Sequence, residues 1–172
     1  GCSVLNSLTF STSLKTIGQS AFESTKITTL SIPKSITSIG LYAFRYCNSL
    51  QSVTVHSENT KYYVETQGAL IEKTSTTDIT LVLYPKQKTD LTYYQIPNDI
   101  TKIAGYAFYQ NPTFTFIRFN DKLTTIEESA FNGITNIKTI TIPNTVTTIK
   151  KEAFKGCTSL RMIVLIGSRT ER

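Results

Sequence analysis

The sequence predicts an α/β solenoid built of short coils, and three observations carry that prediction. The dipeptide Ala-Phe recurs at Ala21-Phe22, Ala43-Phe44, Ala107-Phe108, Ala130-Phe131 and Ala153-Phe154. Its spacing is nearly constant: 22 residues separate Phe22 from Phe44, and 23 separate Phe108 from Phe131 and Phe131 from Phe154. Apolar residues precede the copies in one order, first alternating with polar ones and then at a spacing of three. A period of this length marks stacked coils, each of which buries its apolar face only against its neighbours.

Each coil opens on a strand. In the segments 27–32 and 137–142, Ile, Leu and Thr alternate in the way a short half-buried strand requires. Pro33 and Pro143 follow. Proline has no N–H to give a ladder, so the strand ends there. Ile36 and Ile39, or Val146 and Ile149, then come three apart, as a tight or 3₁₀ turn would place them. The closing G-x-x-A-F segment has room for one or two helical turns. The next three residues end in Cys47 or Cys157, with Thr25, Asn111 and Ile134 at that position elsewhere.

The whole pattern, L-x-x-L-x-I-P-x-x-I-x-x-I-G-x-x-A-F-x-x-C, resembles the BspA-like class of leucine-rich repeats, also called the Treponema pallidum type. The Ile-Pro step and the I-G-x-x-A-F-x-x-C element are its most specific features. The resemblance covers nearly the whole chain. It implies a right-handed leucine-rich-repeat solenoid with a parallel β-sheet on the concave face. It also implies a cell-surface or secreted protein that recognises a host or matrix protein, or an acidic glycan, without catalysis. An intracellular scaffold using the same solenoid for protein–protein docking is the alternative.

One stretch breaks the period. Phe44 and Phe108 lie 64 residues apart, and residues 50–90 read as an irregular coil. Gly68 to Ile71 and Ile79 to Tyr84 flank a polar Thr/Ser/Asp run, which predicts an inserted β-hairpin. Residues 1–172 are read as one array, ending in a polar tail at 167–172. Gly1-Cys2-Ser3-Val4-Leu5 aligns with Gly156-Cys157-Thr158-Ser159-Leu160, so the chain is expected to be a segment of a longer array.

Bulk properties restrict function loosely. The net charge of +6 serves solubility, or else a basic surface for anionic glycan or lipid. The lysines are scattered and no nucleic-acid motif is present, which argues against nucleic acid as a partner. No apolar run approaches the ~20 residues of a membrane helix. Cys2, Cys47 and Cys157 share one coil position. Equivalent positions repeat at about 4.8 Å, so Cys47 and Cys157 lie coils apart, too far for a disulfide, and all three cysteines are expected to be free, buried thiols.

No catalytic or cofactor constellation is legible. His56 is the only histidine, placed just after a strand at the edge of the concave sheet, with no nucleophile tied to it. Glu127 and Glu128 are read as a solvated helix start. A surface is therefore the candidate site. Side chains alternate along a strand, so the residues flanking the second Leu of each L-x-x-L-x-I strand point to the concave face. That rule selects Thr29 and Ser31, Ser52 and Thr54, Tyr93 and Gln95, Phe116 and Arg118, Thr139 and Thr141, and Met162 and Val164. Most are small hydroxyls suited to a solvated sheet. Tyr93, Phe116 and Arg118 differ, and tyrosine and arginine are favoured at binding hot spots. The candidate ligand-binding set is Tyr93, Gln95, Phe116, Arg118, Thr54, His56, Thr139 and Thr141. A register shifted by one residue in the aromatic-rich segment 114–119 would bury Phe116 instead.

Overall fold

The alternating segments are strands in the computed structural model, which describes residues 2–166. Gly1 and the tail at 167–172 lie outside the described residues. In chain order the strands begin with β1 (Thr16–Ile17), β2 (Thr29–Ile32), β3 (Ser38–Ile39) and β4 (Ser52–Val55). The irregular coil adds β5 (Tyr62–Val64), β6 (Leu70–Lys73) and β7 (Ile79–Leu83). Then come β8 (Tyr93–Gln95), β9 (Lys102–Ile103), β10 (Phe116–Arg118), β11 (Thr125–Ile126), β12 (Thr139–Ile142), β13 (Thr148–Ile149) and β14 (Met162–Leu165).

Two ladders run along the stack. The L-x-x-L-x-I strands pair in parallel two by two, β2 with β4, β8 with β10 and β12 with β14. The short strands after the proline turn form the second ladder, with β1 on β3 and β7, β9, β11 and β13 in one parallel run. The expected single concave sheet is thus divided into three pairs.

The Ala-Phe elements depart from expectation. Among the described residues there is no helix, so the chain is all-β rather than α/β, and its outer turns are not helical. The cause lies in φ. The residue before each Ala has positive φ: Ser20 (52°), Tyr42 (60°), Tyr106 (62°), Ser129 (56°) and Glu152 (58°). So does the residue two after each Phe: Ser24, Tyr46, Gln110, Gly133 and Gly156. A left-handed residue every fourth position cannot continue a right-handed helix. It does let alternate N–H groups point along the stack. Ser20, Phe22 and Ser24 donate to the carbonyls of Leu41, Ala43 and Arg45 in the next coil, and Tyr106, Phe108 and Gln110 donate to Glu128, Ala130 and Asn132. Ser129, Phe131 and Gly133 repeat the pattern onto Lys151, Ala153 and Lys155.

These ladders bring the phenylalanines into a column. Phe108 stacks on Phe131 at 5.2 Å between ring centroids, and Phe131 on Phe154 at 5.4 Å. Phe22 and Phe44 stack likewise at 5.8 Å. The inward strand positions Leu30, Ile32, Ile117, Ile140 and Ile142 complete the core.

The expected hairpin exists as β6 and β7, antiparallel around residues 74–78. A third strand, β5, pairs antiparallel with β6 and makes a meander. Leu70 faces one apolar cluster, which reaches back to Ile17, while Ala69 and Ile71 face the other, which runs on to Ala153. Strand side chains alternate in direction, so β6 acts as a wall between two cores. In this coil Tyr84 takes the place of the phenylalanine. It stacks on Phe108 at 5.9 Å, and its N–H donates to Ala107 as Phe22 donates to Ala43. Leu81 pairs with Ile103, yet Tyr84 follows Leu81 by three residues where Phe108 follows Ile103 by five. The outer turn of this coil is two residues short.

Candidate functional site

The strand rule places the aromatic pair on the surface. Tyr93 of β8 and Phe116 of β10 are register partners, and their rings stack 5.6 Å apart with an 8° tilt. They are 42% and 43% exposed, whereas Tyr94, Phe114, Ile117 and Phe119 between and beside them are buried. The shifted register is therefore excluded. Arg118 pairs in register with Gln95 on the same face and is exposed. Gln95 accepts a hydrogen bond from the Tyr93 hydroxyl at 2.9 Å.

The other candidates divide. Thr139 and Thr141 are half-buried on β12, which borders β10 without pairing with it. Their register partners Met162 and Val164 are 57% and 38% exposed, which extends the apolar character of the face. Thr54 lies on β4, which does not pair with β8. His56 is exposed and has a turn role: its N–H donates to Ile32, and its Nδ1 accepts from the Glu58 N–H at 3.2 Å. Neither Thr54 nor His56 shares a strand pair with the aromatic rows.

The interruption between β4 and β8 is filled by a side chain. Gln67 donates its amide N–H to the Gln95 carbonyl at 2.8 Å and accepts from the Gln95 N–H at 3.2 Å. One glutamine amide thus replaces the backbone rung of a missing strand and holds Gln95 beside Tyr93. Beneath it the Tyr94 hydroxyl donates to Glu65 at 2.9 Å. Burial, reinforced by the Glu65 charge, raises the Tyr94 pKa far above the ordinary phenol value.

Several positions missed in the sequence hold this frame. Asn120 stands where other coils have proline. Its side-chain N–H groups donate to the Pro97 and Ile100 carbonyls, and its Oδ1 accepts from the Lys122 and Leu123 N–H groups. Asn59 repeats all four bonds, onto Pro33, Ile36, Lys61 and Tyr62. Asn, falling one place after an inward apolar residue in Phe119-Asn120, was the available signal. The other cluster is Tyr42, Tyr46, Tyr106 and Tyr109, which meet where the short coil recedes. The Arg45 guanidinium lies 5.0–5.2 Å from three of these rings and pairs with Glu23.

Glu127 and Glu128 do not start a helix. They pair with Lys150 at 2.7 Å and Lys151 at 3.3 Å one coil on, and Glu128 also accepts from the Tyr42 hydroxyl at 3.3 Å. The three cysteines are free, with Cys47 buried, Cys157 half-buried and Cys2 exposed, so burial fails for Cys2. The Cys47 and Cys157 thiols each donate to the phenylalanine carbonyl one coil back, Phe22 and Phe131, at 3.2 Å. Burial raises both thiol pKa values. Among the described residues no group of three or more His, Cys, Asp or Glu side chains could hold a metal ion. No helix among them is long and apolar enough to cross a membrane.

The profile of the BspA type leucine rich repeat region matches residues 1–81 and 84–171, in 6 copies. A leucine-rich repeat protein from Eubacterium ventriosum is similar in structure, with a TM-score of 0.80 at 28% identity over 90% of this chain and 40% of that one. A leucine rich cell surface protein from Faecalibacterium prausnitzii is similar at 28% identity, with a TM-score of 0.66 over 96% of this chain and 55% of that one. The pneumococcal vaccine antigen PcpA is similar at 25% identity, with a TM-score of 0.74 over 91% of this chain and 44% of that one. This chain thus spans about half the length of these proteins or less. No curated protein matches it.

Proposed function

The chain belongs to the BspA-type leucine-rich repeat family, whose repeats form a protein-interaction scaffold, and from that premise we propose that it is a non-catalytic recognition module of a bacterial cell surface. The long-strand face, expected to be concave, is the binding face, and its partner is a host or matrix protein. The observation that carries this reading is the stacked, half-exposed pair Tyr93 and Phe116 beside Arg118. Two aromatic rings left in water next to a guanidinium match the make-up of an interface hot spot. The face extends through Met162 and Val164, and an apolar surface of this kind favours a protein over an acidic glycan. Two structural neighbours, a cell surface protein and a vaccine antigen, support the surface location.

The test is a binding screen of the chain against immobilised matrix proteins, followed by the double substitution Tyr93→Ala with Arg118→Ala. Loss of each hot-spot side chain typically weakens binding by at least ~2 kcal/mol. The expected outcome is lost binding with an unchanged thermal melt. A double variant that binds like the parent removes the face from consideration.

A further inference from the structure

On the opposite flank of the coils, the two-residue deficit at Tyr84 leaves an incomplete hydrogen-bond ladder. In three other steps along the stack, three N–H groups of one Ala-Phe element reach three carbonyls of the next. From the Tyr84 coil to the Phe108 coil a single rung survives, Tyr84 to Ala107. From the Phe44 coil to the Tyr84 coil there is none: the N–H groups of Tyr42, Phe44 and Tyr46 have no backbone acceptor among the described residues. Phe44 is only 9% exposed. Tyr42 and Tyr46 are half-buried. Backbone N–H groups away from water are nearly always paired, so open ones at these positions mark a place where a partner belongs.

The same step holds a cavity of about 320 Å³. Its floor is Phe44, Val82 and Ala104, and Tyr42 and Tyr106 close one side with their rings 5.4 Å apart. A volume of this size lies at the small end of ligand sites. The charges at the rim come in opposed pairs, Lys150 with Glu127 at 2.7 Å and Lys102 with Asp78 at 3.8 Å. No single sign dominates, so the site does not select an ion. The open donors call for carbonyl acceptors in a row, the floor calls for small apolar groups, and the missing piece is two residues of outer turn.

We propose that this cleft binds a short extended peptide segment of a partner protein, with small side chains such as Gly and Ala, whose alternate carbonyls accept from the Tyr42 and Phe44 N–H groups that line it and restore two of the rungs absent from the short coil. This is strand addition to an open edge, carried out on an outer turn of a solenoid. It does not depend on the long-strand face.

Two measurements on the chain test it. Amide hydrogen exchange of the free protein comes first. The Tyr42 and Phe44 amides exchange faster than those of Ser20 and Phe22, and of Tyr106 and Phe108, which occupy the same repeat positions with rungs made. Equal protection overturns the inference. The second is a titration with acetyl-Gly-Ala-Ala-amide, followed by amide chemical shifts. Saturable shifts at Tyr42, Phe44, Val82 and Ala104, with slowed exchange at Tyr42 and Phe44, are expected. The substitution Ala104→Leu fills the floor and weakens that binding by about tenfold or more. Thr80→Tyr, at a half-exposed position of β7 that suits an aromatic residue, gives the same result if Ala104→Leu does not fold. The inference fails if the shifts fall elsewhere, if no saturation is reached, if the folded variant binds like the parent, or if acetate alone reproduces the shifts.

Discussion

Ser20, Tyr42, Tyr106, Ser129 and Glu152 hold left-handed φ values that ordinary residues adopt at roughly 1–2 kcal/mol each. The rungs that Ser20, Tyr106 and Ser129 allow offset that strain there, because each sends the N–H of the phenylalanine two residues on along the stack. This conformation was nearly silent in the sequence, since only Gly133 and Gly156 signal it and the G-x-x-A-F spacing also suits a helical turn. The substitution Gly133→Ala brings a Cβ to 2.6 Å from the Gln110 Cγ at a φ of +79°. It should cost about 1–2 kcal/mol or more. Gly18→Ala, with nothing within 4 Å of the added carbon, should be nearly neutral, and paired thermal melts check both. The inward phenylalanines were legible because they recur. Phe131 is fully buried and stacked on both sides, so Phe131→Ala should cost about 3–5 kcal/mol in denaturant unfolding. Phe44 borders the cleft and stacks on one phenylalanine only, so Phe44→Ala should cost less.

At the scale of the element, the strands followed from alternation and the Ile-Pro step, and their register followed too. Segment 114–119 offered two registers, and the burial of Phe114, Ile117 and Phe119 settles it with Phe116 outside. Single-sequence reading had no access to the division of the long-strand ladder, which depends on where the insertion folds back. Nor did it find β5, because Tyr62-Tyr63-Val64 is short and lacks alternation. Asn120 illustrates a different gap. Proline ends a strand by lacking a donor, whereas asparagine does so by supplying two donors and two acceptances to neighbouring turns. Both serve the same corner, but only one has a familiar spelling. Asn120→Ala leaves buried carbonyls and N–H groups without partners. The expected loss is at least about 1–3 kcal/mol by chemical denaturation. A change no larger than that of an exposed Thr124→Ala control would show that water or a rearranged turn satisfies those groups.

The whole molecule is two apolar cores joined at β6, and tyrosines are embedded in both. Tyr62 lies in one and Tyr84 and Tyr94 in the other, each with a pKa raised chiefly by burial. Tyr63 is pushed up to about 12, by burial and then by the Asp99 charge. A phenol that titrates higher in the folded chain than in the unfolded one contributes stability that is fully present below about pH 10. That contribution is lost as pH rises from there towards the folded value. The chain should therefore unfold in alkali above pH ~10, with the buried phenols ionising only as it does so. Ultraviolet phenolate titration alongside circular dichroism checks this, and early ionisation of all nine tyrosines in a folded chain would contradict it. The repeat architecture and family were readable from period and motif, while the partner was not, because a binding face is defined by what it meets. The most direct measurement is photo-crosslinking with benzoylphenylalanine in place of Phe116, and separately in place of Ser75 in the exposed loop between β6 and β7. With a matrix protein that the chain binds, the account predicts a crosslink from position 116 and none from position 75. Crosslinking from position 75 alone would contradict it.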